Sequence, residues 1–591
     1  MHKLSMVDKG FLIGESREMP MHVAGVSLFT LPDGADEQEF LASIAANLKD
    51  ADELLPPFGH RLKMGRLGLA GNVYWEPDPA LDLDYHVRHS ALPKPGRYRE
   101  LFTLVSRLHG TLLERTRPLW EMHLIEGLQN RQFAIFNKTH HAAVDGARSI
   151  HVSRSMLSSD PNLIRTESPM SLNSWNAYKK ALKEGRQAEY TDAEVRTVAD
   201  VLKSTYGSGA NAFNALKDIA GAWSGRKNHL ALPHLKVPRS PLNGKIDGAR
   251  RFVAQTWPFA RIRAVGKAFD ATFNDTVLAM CAGGLRQYMI NHSELPKDSM
   301  KTLVPVSLRK EGDVDSGNAV AGISADLSTT IADPVERFMS IKASVEAGKD
   351  HYAGMSPKEV ELLTMAMSAP TMLLMPLGMI TRLPPYNLTI SNVPGMRETM
   401  YWNGARMDGS YPLSIITDGM ALNITLVSYA DQVDFGIIAC RRSVPQVQRI
   451  IDYMEDALQE LEDAAGIKTK PTRKRGTVPR KKAAGAAAKK RPATRKKAPA
   501  KKAAASTGSS KAKKSAPKAK AKAAASKGTT KKAAPKKKAA TKKTPAKAKT
   551  SASRKAAPKK SVAAKRSSTA TKKVAARKSA PKKKTAASRR K

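Results

Sequence analysis

Residues 132–146 read QFAIFNKTHHAAVDG and place a histidine pair, His140 and His141, directly after a run typical of a β-strand. A helix-like run follows at residues 147–157. A histidine at the point where two such elements part suits proton transfer, because imidazole accepts a proton near neutral pH. The alternative is a satisfied polar side chain at a strand end, so the motif needs support from the rest of the chain.

Short strand and helix signals alternate on both sides of this motif. Strands are predicted at residues 23–31, 82–89, 251–257 and 302–307, and helices at 37–54, 98–116 and 274–289. A hairpin is predicted at residues 422–429 and 433–440, before a closing amphipathic helix at 444–465. Residues 160–245 resemble a connector, with helical stretches at 174–185 and 192–206 and an extended piece at 232–242. This alternation predicts a mixed α/β (α+β) fold in two similar-sized halves.

The charge of the chain is concentrated in its C-terminal tail. Residues 471–591 hold 46 Lys and Arg and no Asp or Glu, which leaves 53 basic and 53 acidic residues in residues 1–470. The tail has no Leu, Ile, Met, Phe, Tyr or Trp, so it cannot bury enough apolar surface to offset its ordering entropy. We predict that residues 469–591 are disordered and bind polyanions.

Other sequence features exclude several classes of protein. Cys281 and Cys440 are the only cysteines, so neither a disulfide framework nor a cysteine-based zinc site is expected. The N-terminus lacks the apolar core of a signal peptide, and we expect a cytoplasmic protein. Residues 362–380 are uncharged and rich in methionine, but Pro370 and Pro376 interrupt them. We interpret this run as a buried or interfacial helical pair, which could also line a lipid chain, rather than a membrane span.

The histidine pair belongs to an ordered series of motifs. Residues 4–8 (LSMVD), 117–123 (RPLWEMH), 274–275 (ND), 305–309 (PVSLR) and 391–395 (SNVPG) accompany it. Over roughly residues 1–465 this series is similar to the bacterial wax ester synthase/diacylglycerol acyltransferase family. That family has the chloramphenicol acetyltransferase-like fold of CoA-dependent acyltransferases. The resemblance implies an N-terminal half at residues 1–160, a connector at 161–245 and a C-terminal half at 246–468.

The resemblance also implies roles for the residues of the histidine motif. His141 would be the general base that takes the proton of an alcohol as its oxygen attacks the thioester of acyl-CoA. His140 would set the loop, Asp145 would shape it through an ion pair, and Arg61 is the candidate partner. Gly146 would allow close approach of the substrate. No Gly-x-Ser-x-Gly motif is present, which agrees with direct attack without an acyl-enzyme.

Residues outside the motif receive roles in the same way. Asn274 would donate a hydrogen bond to the developing oxyanion, although helix capping alone could explain an asparagine there. Pro118, Leu119 and Trp120 would be structural or form part of the wall of the acyl channel. Asn392 would bind substrate near the interface of the halves, where a tunnel would hold the single active site. The spacing of His140, His141 and Asp145 does not suit a metal, and we expect no cofactor besides acyl-CoA as co-substrate.

The sequence therefore predicts an O-acyltransferase that makes triacylglycerol or wax ester from acyl-CoA and diacylglycerol or a long-chain alcohol. Its expected place is peripheral to a membrane or lipid inclusion. One alternative is an acyltransferase or condensation enzyme that acts on a carrier-protein-bound substrate. Another is a non-enzymatic granule or nucleoid protein that acts through its tail. The tail resembles those of linker histones and of some phasin-type granule proteins, so DNA, anionic lipid and mere solvation are all open for it.

Overall fold

The computed structural model describes residues 2–144, 146–184, 230–307, 320–352, 355 and 357–468. The helices are α1 (Met6–Gly14), α2 (Glu37–Asn47), α3 (Leu83–His86), α4 (Tyr98–His109), α5 (Gly146–Met156), α6 (Leu172–Lys183), α7 (Phe259–Ala268), α8 (Phe273–His292), α9 (Pro334–Asp350), α10 (Pro357–Leu374) and α11 (Gln448–Ala464). The strands are β1 (His2–Lys3), β2 (His22–Thr30), β3 (His60–Met64), β4 (Val73–Pro77), β5 (Val87–Ala91), β6 (Trp120–Glu126), β7 (Gln132–His140), β8 (Arg250–Pro258), β9 (Lys301–Ser307), β10 (Val320–Asp326), β11 (Leu388–Val393), β12 (Tyr401–Trp402), β13 (Ala405–Leu413), β14 (Leu422–Tyr429) and β15 (Gln432–Cys440).

The first large sheet has β7 near its middle and the strand order β12-β13-β2-β7-β6-β5 among the described residues. β7 is antiparallel to both β2 and β6, and His22 pairs in register with His140. Because β7 is buried along nearly all of its length, its last residue emerges at the edge of a rigid core. This strand therefore presents the histidine pair on a firm base.

The second large sheet has the order β10-β9-β11-β14-β15-β8 within the same described ranges. β11 runs parallel to β9 and β14, and β14 and β15 form a hairpin. Buried side chains of α8 pack in one core cluster with side chains of β11, β14, β15 and α11. A helix that is buried nearly all round belongs to a core, and α8 thereby sets its N-terminus beside β11.

The two halves share strands and core. β12 and β13 come from the second half of the chain but pair with β2 in the first sheet. Trp402 and Met407 of these strands lie in the same buried cluster as Trp120 and Val144. The first sheet is therefore not built from a continuous stretch of sequence. The predicted boundaries at residues 160, 245 and 468 stay a prediction, and the predicted disorder of 469–591 lies outside the described residues.

Most predicted helices and strands are present, but the ends of some were wrong, and one short helix was predicted as a strand. The hairpin of β14 and β15 lies where it was predicted, and β2, β8 and β9 differ from their predicted ranges by a residue or two. The predicted strand at 82–89 is the short helix α3 followed by β5, because the Asp82 side chain accepts the backbone N–H groups of Asp84 and Tyr85 and starts a helical turn. The predicted helices 37–54 and 98–116 end early, at Asn47 and His109. The extended piece at 232–242 ends in a 3₁₀ turn, Pro241–Asn243, and the predicted helix 192–206 lies outside the described residues.

The methionine-rich run forms one helix rather than a pair. α10 continues through Pro370 and ends at Leu374, two residues before Pro376. None of the helices in the described part of the chain is long and apolar enough to cross a bilayer.

Candidate active site

His141 lies in the turn between β7 and α5 and is half-buried. Its backbone N–H donates to the carbonyl of Met21 at 2.9 Å. The ring of Phe11 stacks on its imidazole, with centroids 4.2 Å apart and planes 18° from parallel. Phe11 lies on α1, which Ser5 caps by accepting the N–H of Asp8. These contacts hold both the backbone and the ring of His141.

His140, the last residue of β7, is fully buried. Its Nδ1 accepts the N–H of Ala142 at 3.1 Å, so the ring proton belongs on Nε2. Nε2 lies 3.4 Å from Oε1 of Glu15, which is almost completely buried. The same Oε1 accepts the N–H of Met21 at 3.2 Å. His140 is therefore part of a buried network that also holds Met21, whose carbonyl accepts the backbone N–H of His141.

Arg115 completes this network. Its Nε and Nη2 donate to Oε2 of Glu15 at 3.1 and 2.8 Å, and Nη2 also donates to the carbonyl of Leu12 at 2.8 Å. Burial acts to raise the pKa of Glu15, but His140, Arg115 and the Met21 N–H together hold that pKa below its ordinary value. Glu15 therefore stays ionised beside the histidine motif.

The residues Pro118, Leu119 and Trp120 are all buried but serve different neighbours. The carbonyl of Leu119 accepts the N–H of His140 at 2.9 Å, and its side chain packs with Ala142. The Trp120 indole N–H donates to the carbonyl of Phe58 at 2.8 Å, and His86 stacks on the indole at 4.5 Å. A small cavity beside the motif is lined by Trp120 together with Phe58, Met122, Val144, Val152 and Met170, and by the polar Glu121, Asn137, Thr139 and Ser149. Of the three residues, only Trp120 lines this cavity.

Asn274 and Asn392, both in the second half of the chain, are hydrogen-bonded to each other. Asn392 lies on β11, and its Nδ2 donates to Oδ1 of Asn274 at 2.7 Å. Asn274 is the second residue of α8, whose cap is Thr272, so the capping explanation for Asn274 is wrong. Because its side-chain oxygen is used as an acceptor, the amide nitrogen of Asn274 is the atom that can donate to a substrate. Oδ1 of Asn392 is buried and has no hydrogen-bond partner within the described residues.

The histidine motif and this amide pair are joined through α5. Nη2 of Arg154 on α5 donates to the carbonyl of Gly395 at 2.8 Å, and Gly395 follows β11 closely. A Cβ at Gly395 would lie 1.7 Å from the carbonyl oxygen of Ser428, so only glycine allows this approach. The structure thus links the elements that carry His141, Asn392 and Asn274.

The remaining predicted residues are placed as follows. Gly146 is the first residue of α5, and Asp145 lies outside the described residues. Arg61 lies 3.3 Å from Glu76 and 3.8 Å from Asp78, so it has carboxylate neighbours other than Asp145. No group of three or more His, Cys, Asp or Glu in the described ranges is placed to hold a metal ion. The ion pair of Arg61 with Asp145 stays a prediction.

Phe11, Glu15 and Arg115 were not predicted as site residues. Each lies more than 20 residues from the histidine pair, and none belongs to one of the quoted motifs. A charged residue such as Glu15 or Arg115 indicates a buried ion pair only once its partner in the fold is known. His86 was missed for the same reason, because nothing in residues 82–89 indicates a stacked tryptophan.

Comparison with known proteins identifies the family. Residues 4–277 match the model of the wax ester synthase/diacylglycerol acyltransferase catalytic domain, and residues 316–462 match that of the WS/DGAT C-terminal domain. The chain belongs to the wax ester synthase/diacylglycerol acyltransferase family. This confirms the predicted family and the predicted class of enzyme, an O-acyltransferase.

The family relatives span the body of the chain. The Mycobacterium tuberculosis protein named probable diacylglycerol O-acyltransferase tgs2 is 42% identical over 463 residues, which cover 78% of this chain and 98% of that protein. O-acyltransferase WSD of Acinetobacter baylyi is 35% identical over 464 residues, 78% of this chain and 97% of its own length. The solved wax ester synthase/diacylglycerol acyltransferase of Marinobacter aquaeolei VT8 is 39% identical with a TM-score of 0.62, over 79% of this chain and all of that chain. This match confirms the predicted α/β fold class.

Proposed function

We propose that this chain transfers a fatty acyl group from acyl-CoA to diacylglycerol or a long-chain alcohol, with His141 as the general base. The observation that carries the proposal is the position of His141, half-buried at the end of β7 and held by Phe11 and Met21. A base held in this way can contribute about 10²–10⁴ to the rate, since a neutral hydroxyl is a poor nucleophile.

The reaction follows from these groups. The imidazole of His141 takes the proton of the acceptor hydroxyl while the oxygen attacks the thioester carbon. The tetrahedral oxyanion then collapses, the C–S bond breaks, and the CoA thiolate leaves with the proton from the imidazolium. The amide nitrogen of Asn274 donates to the oxyanion, and Asn392 orients that amide through the 2.7 Å hydrogen bond. The ester product is triacylglycerol or wax ester.

The buried network supports this role for the motif. Glu15 accepts from Arg115 and from the Met21 N–H and lies beside His140, so the loop is fixed from behind by an ionised carboxylate. In this proposal Asp145 shapes the loop through an ion pair, and Gly146 gives the substrate room. The cavity at Trp120 supports an acyl-channel wall at this residue, because it is mostly apolar and adjoins Val144 of the motif.

The test is a CoA-release assay on the full chain with palmitoyl-CoA, with hexadecanol and dipalmitoylglycerol as alternative acceptors. We expect release that depends on the acceptor and that falls at least about 10²-fold in His141→Ala. His89→Ala is the control, since His89 is a half-exposed histidine paired with Glu126. Unchanged release by a folded His141→Ala protein would rule out the base. Absence of release with either acceptor would favour a carrier-linked donor.

The tail provides a separate interaction with polyanions. Its 46 basic residues without an acidic one favour DNA or anionic lipid, and either would associate the enzyme with the nucleoid or with a membrane or lipid inclusion. Titration of duplex DNA against salt compares the full chain with residues 1–470, a length close to that of the complete relatives. We expect binding that weakens steeply with salt and is lost without the tail. Equal DNA binding by the full chain and by residues 1–470 would mean that the tail only solvates the protein and does not bind DNA.

A further inference from the structure

The C-terminal part of α10 and the turn after it carry no charged side chain up to Thr381. Residues 362–381 contain no Asp, Glu, Lys or Arg. The inner face is used by the fold, since Val360 is buried and Met367 packs against Leu230 and Leu232. Thr371 accepts or donates a 3.1 Å hydrogen bond with Nε2 of His234 on the same face. An ordinary surface helix would carry polar residues on the other face.

The outer face and the turn after it expose large aliphatic side chains instead. Leu373 is 67% exposed, Leu377 63%, Leu383 45% and Met379 37%. We call these four residues the apolar patch. Single exposed apolar residues are common, but four within eleven positions point to a partner that covers them.

The two chain segments that hold the apolar patch and its neighbour His234 carry only positive charge. Nδ1 of His234 is 2.8 Å from the carbonyl oxygen of Leu383, which joins residues 230–240 to the patch. Lys236, Arg239 and Arg382 are exposed in these two segments. Neither residues 230–246 nor residues 362–397 contain an Asp or Glu. Cationic side chains around an apolar centre suit a lipid surface, because they can lie at the level of the polar headgroups while the apolar side chains insert below them.

The apolar patch adjoins the helix that packs on His141. A side chain at Gly14, the last residue of α1, would lie 3.2 Å from Sδ of Met375, which lies between Leu373 and Leu377. Ile13 of α1 is also exposed, and Phe11 of the same helix stacks on His141. The apolar surface therefore leads from the patch towards the reacting side chain.

We propose that the apolar patch is the surface by which the body of the enzyme docks on a lipid layer, with Leu373 and Leu377 inserted among the acyl chains. Lys236, Arg239 and Arg382 then lie at headgroup level. In this orientation an acceptor such as diacylglycerol reaches His141 from the layer along α1. This last step rests on the proposed function, whereas the docking itself does not.

The test is flotation of the full chain with phosphatidylcholine vesicles that contain dioleoylglycerol. Neutral vesicles and about 1 M salt, where the Debye length is about 3 Å, suppress binding by the basic tail. The variant is Leu373→Asp/Leu377→Asp, and the control is Leu163→Asp/Ile164→Asp, whose residues are also exposed but lie outside the patch. We expect the vesicle-bound to free ratio to fall about tenfold or more in the patch variant and to stay at the wild-type level in the control.

CoA release with dissolved substrates, hexanoyl-CoA and hexanol, is measured on the same proteins without vesicles. Retained release by the patch variant, with lost flotation and lost turnover of vesicle-borne dioleoylglycerol, supports docking. Equal flotation of patch variant and wild type overturns it, as does wild-type protein that does not float. Lost release with dissolved substrates and unchanged flotation would assign the patch to the substrate channel instead. No release by wild type with any acceptor would defeat the proposed function but leave the flotation result valid.

Discussion

Glu15 lies with its Oε1 3.4 Å from Nε2 of His140, and both side chains are buried. The carboxylate also accepts the N–H of Met21, whose carbonyl accepts the N–H of His141. Glu15 thus contacts His140 directly and His141 only through the backbone of Met21. Under the proposed function it is a positioning residue, because it would act on the reaction only through its neighbours.

Replacement of Glu15 by Gln removes the charge while it keeps the size of the side chain. We expect kcat to fall by up to about 10²-fold with little change in KM for acyl-CoA, since a displaced base loses its alignment with the hydroxyl. Steady-state kinetics with a thermal-unfolding control measure this. Glu18→Gln, at an exposed position three residues further along, should behave as wild type. A Glu15→Gln enzyme with wild-type kcat would show that the network has no part in positioning.

The Asn274–Asn392 pair is open to a double-mutant cycle. We expect Asn274→Ala to lower kcat by about 10²–10³-fold, because it removes the donor to the oxyanion. Asn392→Ala should cost less, since it removes only the group that orients Asn274. The double variant should be no slower than Asn274→Ala alone. Additive losses would instead mean that the two amides act independently.

Gly395 should not tolerate a side chain. A Cβ there would overlap the carbonyl oxygen of Ser428, so Gly395→Ala must shift the turn that Arg154 contacts. We expect a loss of about 1–3 kcal/mol in the free energy of unfolding, together with reduced kcat. Gly10→Ala is the matched control, because a Cβ at Gly10 meets nothing within 4 Å and alanine favours the helix. Chemical denaturation measures the free energy of unfolding, and the CoA-release assay measures kcat.

We expect the buried Asp434 to make the free energy of unfolding depend on pH. It is fully buried on β15, and burial raises its pKa to about 7 although Thr256, the Ser410 N–H and Gln432 donate to it. An unfolded Asp has a pKa of about 3.9, so between about pH 4 and 7 the folded state binds the extra proton. This group therefore lowers the free energy of unfolding as the pH rises through that window, and the loss is complete above about pH 7.

The matched variants for this effect are Asp434→Asn and Asp431→Asn. Denaturant unfolding at about pH 5 and about pH 8 should show a smaller pH difference for Asp434→Asn than for wild type. Asp431 is exposed in the turn before β15, and its variant should keep the wild-type difference. An unaltered pH difference in Asp434→Asn would mean that other groups carry it.

Local patterns predicted much of the fold. The β14–β15 hairpin was predicted because two apolar runs are separated by a short polar turn, and both strands and turn lie within one stretch of about twenty residues. The strand predicted at residues 82–89 was wrong because the Asp82 cap competes with the strand pattern over the same residues. Methionine-rich residues 362–380 were recognised as unusual, but the exposure of their side chains depends on which face of the helix His234 and Leu230 cover.

The sequence by itself determined the histidine motif at the end of β7, the order of motifs that indicates the family, and the separation of a neutral body from a basic tail. These features are carried by residues that are close along the chain or by composition alone. Only the tertiary structure decided that Phe11 stacks on His141, that Glu15 supports His140 and that Asn392 orients Asn274. Each of these contacts joins residues more than 100 positions apart, and such pairs meet only when buried strands and helices pack into one core. The candidate base His141 is therefore identified by the sequence, whereas the contacts that hold it are decided by the fold.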